Sequence, residues 1–105
     1  MTELVHVLVV DDDPFVSFLL TEGLSDRFKV TAVNSGAACL AALEQLTPDI
    51  FLLDINMPVM NGYELCSIIK DNEEWSLIPV VFVSGNSSVE EKLRGYEAGG
   101  DDYIT

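Results

Sequence analysis

Basic residues are scarce in this chain: five lysines and arginines stand against 18 aspartates and glutamates, a formal charge of −13 over 105 residues. A surface this negative does not track a nucleic-acid backbone or an anionic membrane unaided. Direct nucleic-acid binding and membrane association are therefore not expected. Long apolar runs are missing as well, and no stretch approaches the roughly 20 residues of a membrane span. The start, Met1-Thr-Glu-Leu-Val-His6, lacks the basic residues and apolar run of a signal peptide. Cys39 and Cys66 are isolated, each inside an apolar helical pattern. They read as small core residues in a reducing compartment, neither a disulfide nor a metal pair. The expected location is the cytoplasm. Histidine occurs once, as His6 ahead of the first strand, where it reads as structural. Linkers, repeats and low-complexity segments are absent, and 105 residues suit one domain.

What the chain does contain is a core and a rhythm. Hydrophobic residues make up 49% of it, which argues against disorder. Strand-like and helix-like patterns alternate. Val5 to Val10 reads as a strand buried on both faces, and Asp13 and Pro14 suit the cap and first position of a helix carrying Val16, Leu19, Leu20 and Leu24. Phe28 to Val33 reads as a more polar edge strand. Ser35 opens a second helix with Cys39, Leu40, Leu43 and Leu46 on one side. Ile50 to Asp54 is a third strand, and Tyr63 to Lys70 a helix with Leu65, Ile68 and Ile69 inward. Val80 to Val83 is a fourth strand, Val89 to Ala98 a helix with Leu93 and Tyr96 on its apolar side, and 101–105 begins a fifth strand. Such βαβ alternation implies a doubly wound parallel sheet, with ligands bound outside the carboxyl ends of the strands.

Carboxylates gather at that place. Val7-Leu-Val-Val runs into Asp11-Asp12-Asp13, and Ile50-Phe-Leu-Leu runs into Asp54, which is followed by Pro58 and Gly62. If the two strands are neighbours, three or four acids converge at one sheet edge. Like charges packed together repel, so the cluster calls for a cation, and a hard divalent metal with oxygen ligands is the natural candidate. Ser84 also ends a strand at this edge.

Four ordered features resemble the receiver domains of bacterial two-component response regulators: the acids after the first strand, Asp-x-x-Met-Pro-x-x-x-Gly at 54–62, Ser84 after the fourth strand, and Glu97-Ala-Gly-Gly-Asp-Asp-Tyr103-Ile-Thr. The resemblance implies a five-stranded flavodoxin-like parallel sheet of order 2-1-3-4-5. It implies that Asp54 is the phosphoacceptor and that Asp11 and Asp12, with Asp54 and the backbone carbonyl of Asn56, hold Mg2+. Ser84 then matches the hydroxyl that bonds the phosphoryl oxygen, and Tyr103 the aromatic that swings inward afterwards. Asn56, Gly85 and Asn86 would line the pocket, the two asparagines tuning how fast the acyl phosphate hydrolyses. The implied partners are a sensor histidine kinase or a histidine phosphotransfer protein. An output domain or homodimer partner would meet 89–105. The implied role is signalling, not enzymatic.

The resemblance also defines departures. The family has a lysine just after the position of Thr105, then proline and a fifth helix, and this chain stops before them. Residues 1–105 are therefore expected to be a receiver domain shortened before its final helix. Lys92 and Arg94 do not match the position of that lysine. Without it, at least one pocket carboxylate is expected to have a raised pKa, and the sheet face around Val7, Val9 and the fourth strand is expected to be open. Two other functions compete. Val-Val-Asp11-x-Asp13 resembles the start of haloacid-dehalogenase-type phosphatases, with Asp11 as nucleophile, although the threonine after the second aspartate is lacking. A receiver-like binding module that works without phosphorylation is the other.

Overall fold

The computed structural model describes residues 4–83 and 89–104, apart from the side chains of 89–92 and 103. Ser84, Gly85 and Asn86, all expected at the site, lie outside the described residues, as does the side chain of Tyr103. Among the described residues, nine elements follow in strict alternation: β1 (His6–Val10), α1 (Pro14–Leu24), β2 (Lys29–Val33), α2 (Gly36–Ala42), β3 (Ile50–Asp54), α3 (Gly62–Asp71), β4 (Val80–Val83), α4 (Val89–Glu97) and β5 (Asp102–Ile104). The strands form one parallel sheet of order β2-β1-β3-β4-β5. This is the expected doubly wound order.

The central strands are apolar on both sides because both faces are covered. Leu8, Val10, Phe51, Leu53, Val80 and Phe82 point to one face and join Cys39, Leu43, Leu65, Cys66 and Ile69 from α2 and α3. Val7, Val9, Leu52 and Val81 point to the other, under Leu20 and Leu24 of α1. Phe51 and Phe82 are fully buried, and each such side chain contributes about 1.5–3 kcal/mol. Local chemistry sets the helix starts. Asp13 caps α1 by accepting from the Phe15 amide at 2.9 Å, Ser35 caps α2 through Ala38, and Asn61 forms a reciprocal capping box with Glu64 on α3.

Several inward-facing assignments are corrected. Leu19, Ile68, Leu93 and Tyr96 are exposed, at 40–55% of their surface. The inward positions are instead Cys66 on α3 and Gly95 on α4. A helix resting on a flat sheet buries a narrow stripe, so its flanking apolar residues stay in water. The expected open sheet face is not found at its centre: Val7 and Val9 are buried. Exposure lies instead along α1, at Phe15, Phe18 and Leu19.

Candidate functional site

Strand register builds the site. Val10 of β1 pairs with Leu53 of β3, so Asp11 and Asp54 leave the sheet side by side. Asp54 in turn pairs with Val83, the last residue of β4. Carboxylate oxygens of Asp11, Asp12 and Asp54 all lie within 4.8 Å of one another. Asp11 is buried, Asp54 half-buried and Asp12 exposed, so the cluster opens to solvent on one side.

Backbone contacts hold each acid in place. The Asp11 amide donates to the Val33 carbonyl at 3.1 Å, which ties the end of β1 to β2. The Asp11 carboxylate accepts from the Asp13 amide at 2.9 Å. Asp13 is occupied as the α1 cap and stays outside the cluster, as expected. The Asn56 amide donates to Asp54 Oδ1 at 3.3 Å. Beyond it the chain folds back so that the Gly62 amide reaches the Ile55 carbonyl at 3.0 Å. A Cβ on Gly62 would overlap the Asp54 carbonyl oxygen, which explains the glycine that closes the Asp-x-x-Met-Pro-x-x-x-Gly motif. Gly36 plays a related part, since a Cβ there would run into the Met60 side chain.

The electrostatics follow from this crowding. Burial, then the charge of Asp11, pushes the Asp54 pKa up to about 6, against the opposing hydrogen bond from Asn56. Asp11 is also raised, first by burial and then by the charges of Asp12 and Asp13, while the Asp13 amide pulls the other way. Crowded, incompletely solvated carboxylates that offer only oxygen donors suit a hard divalent cation. The residues present therefore fit Mg2+. Neighbouring charge alone does not account for the raised values; burial is the larger cause.

The chain matches the response regulator receiver domain over residues 7–105. It belongs to that family. Receiver domains are phosphoacceptor signalling modules of two-component systems, not enzymes, and bind divalent metal through an acidic pocket. The regulators that contain them pair with histidine kinases and often carry DNA-binding output domains. This receiver is 41% identical over 102 residues to the transcriptional regulatory protein PrrA of Mycobacterium tuberculosis, covering 94% of this chain and 42% of that protein. It is similar to the Vibrio cholerae chemotaxis protein CheY4, with a TM-score of 0.92 at 25% identity, over 97% of this chain and 86% of that one. The Mn(2+)-bound form of response regulator Rcp1 gives a TM-score of 0.83 at 28% identity, over 95% and 79%. The chain spans 22–42% of the length of the first curated relatives it matches. Among the described residues, no helix is long and apolar enough to cross a membrane.

Two further contacts carry no sequence signal. Arg94 of α4 stacks on Tyr63 of α3, with its guanidinium carbon 4.7 Å from the ring centroid. Asp101 accepts from Lys70 and from the Val80 amide at the far end of the sheet.

Proposed function

We propose that Asp54 of this receiver accepts a phosphoryl group from the phosphohistidine of a sensor histidine kinase or a histidine phosphotransfer protein. One observation carries the reading: Asp54 stands at the carboxyl end of β3 with its carboxylate beside those of Asp11 and Asp12. In the transfer, an Asp54 carboxylate oxygen bonds to phosphorus as the phosphorus–nitrogen bond breaks. The departing imidazole keeps the bonding electrons and takes up a proton from water. Transfer of this kind depends mainly on positioning and charge neutralisation. The Asn56 amide orients one Asp54 oxygen, and the Gly62 turn fixes the backbone beneath it. With a pKa near about 6, Asp54 is mostly ionised at neutral pH and available as a nucleophile.

Asp11, Asp12 and Asp54, with the backbone carbonyl of Asn56, would hold Mg2+, which when bound offsets the charge of the incoming phosphoryl oxygens. Ser84 and Tyr103 are assigned the binding and response to the phosphoryl group, with Gly85 and Asn86 at the pocket edge. Residues 89–105 are assigned the contact with an output domain or a second receiver. Incubation with phosphoramidate and Mg2+ tests the reading by intact mass. The wild type gains one phosphoryl group, chelation of the metal suppresses the gain, and Asp54→Asn takes up none. Equal labelling of Asp54→Asn would overturn it.

A further inference from the structure

We propose that Arg94 is a positioning residue for the Asp54 site, acting from α4 through the ring of Tyr63; the inference rests on the reading of Asp54 as phosphoacceptor. Tyr63 is the second residue of α3 and is buried. It follows directly on Gly62, whose backbone packs against the Asp54 carbonyl and bonds to Ile55. Movement of the Tyr63 ring is therefore transmitted within one residue to the backbone that seats Asp54. Phe82 and Arg94 are among the neighbours of the ring. Phe82 lies 5.2 Å away, inclined at 59°, and belongs to β4, where it pairs with Leu53. Arg94 covers the ring from α4.

The burial pattern of α4 makes this contact matter. Its large apolar residues Leu93 and Tyr96 are 55% and 52% exposed and do not anchor it. Near Arg94, a cation on an aromatic face ties α4 to the body of the domain beside the buried backbone of Gly95, an attraction that survives at exposed sites. A helix held this way can shift on its neighbour while the contact reports the shift to Tyr63. The stack thus links whatever binds α4 to the seat of the phosphoacceptor through Tyr63 and Gly62.

Four proteins test this: Arg94→Ala, Arg94→Lys, Tyr63→Leu and the Arg94→Ala/Tyr63→Leu double variant. Two rates are measured for each, phosphoramidate labelling and hydrogen exchange at the Gly62, Glu64 and Leu65 amides. Arg94→Ala should speed exchange at these amides and slow labelling, each roughly two- to fivefold. Arg94→Lys should recover part of both effects. In the Tyr63→Leu background, Arg94→Ala should add nothing. Wild-type exchange in Arg94→Ala, or effects that multiply in the double variant, would overturn the proposal. If the wild type takes no label, the phosphoacceptor reading fails by itself, and amide exchange still decides whether Arg94 holds this turn.

Discussion

Gly62 packs its α-carbon against the carbonyl oxygen of Asp54, eight residues earlier, with no space between them for a methyl group. The phosphoacceptor backbone and the first turn of α3 are in contact because a side chain is missing. Gly62→Ala must push the two apart. Overpacking of this kind costs about 1–3 kcal/mol. The urea midpoint should fall accordingly, and phosphoramidate labelling should slow even where the variant remains folded. Wild-type stability and labelling in this variant would show that the contact is not restrictive.

Acidity should act on stability through Asp54. Its folded pKa of about 6 lies above the ordinary carboxylate value of 3.8. The folded state therefore binds more protons than the unfolded chain between those values, and stability falls as pH rises through that window. Asp11 is shifted in the same direction. In metal-free protein, Asp54→Asn should remove this penalty at neutral pH and flatten the decline. Mg2+ should restore stability to the wild type at neutral pH by binding the folded state. Urea titrations at about pH 4.5 and pH 7.5 with a chelator read both effects. A wild type that gains stability across this range through Asp54 would contradict the assignment.

The opposite end of the sheet carries the reverse sign. Lys70 Nζ donates to the carbonyls of Ser76 and Ile78 at 3.2 and 2.8 Å and to Asp101 Oδ2 at 3.0 Å. The same Asp101 oxygen accepts from the Val80 amide at 2.8 Å. Burial opposes the Asp101 charge, but the hydrogen bonds from Val80 and Lys70 outweigh it and hold the pKa below its ordinary value. The resulting stabilisation is present above the unfolded pKa and is lost as pH falls through the folded one. Lys70→Met leaves two carbonyls without their donor and should cost about 1–2 kcal/mol. Its effect on phosphoramidate labelling should be small, because the clamp sits at the strand ends remote from Asp54. A large loss of labelling without a loss of stability would contradict this division.

These two ends show what the sequence reveals and what it hides. β1, β3 and β4 are legible because each is a short apolar run bounded by polar or turn residues, and parallel strands buried on both faces have that appearance. The acidic cluster is legible because its members end such strands, so register alone brings Asp11 abreast of Asp54. The Lys70–Asp101 clamp is not, because its partners are 31 residues apart and Lys70 belongs to no motif that would point to it. Leu19, Ile68, Leu93 and Tyr96 were misplaced because periodicity gives the apolar side of a helix but not the width of the stripe its neighbours cover. The Arg94 stack escaped for a similar reason: an exposed arginine looks alike whether it meets solvent or an aromatic ring.

Val59 offers a stability prediction inside the loop that follows Asp54. Its φ is 71°, in the left-handed region that β-branched residues avoid, and its side chain is fully exposed. The strain is about 1–2 kcal/mol, with no buried contact to compensate. Asparagine tolerates this conformation, so Val59→Asn should raise stability by about 0.5–1 kcal/mol, seen as a higher urea midpoint. A lowered midpoint would show that the valine is not strained.

The most direct measurement maps the phosphoryl group itself. Wild-type protein labelled with phosphoramidate and Mg2+ is reduced with borohydride, which converts only an acyl-phosphorylated aspartate to homoserine, and the peptides are sequenced by mass spectrometry. The account predicts homoserine at position 54 alone. Homoserine at position 11, as a phosphatase-type nucleophile requires, or at neither position, would contradict it.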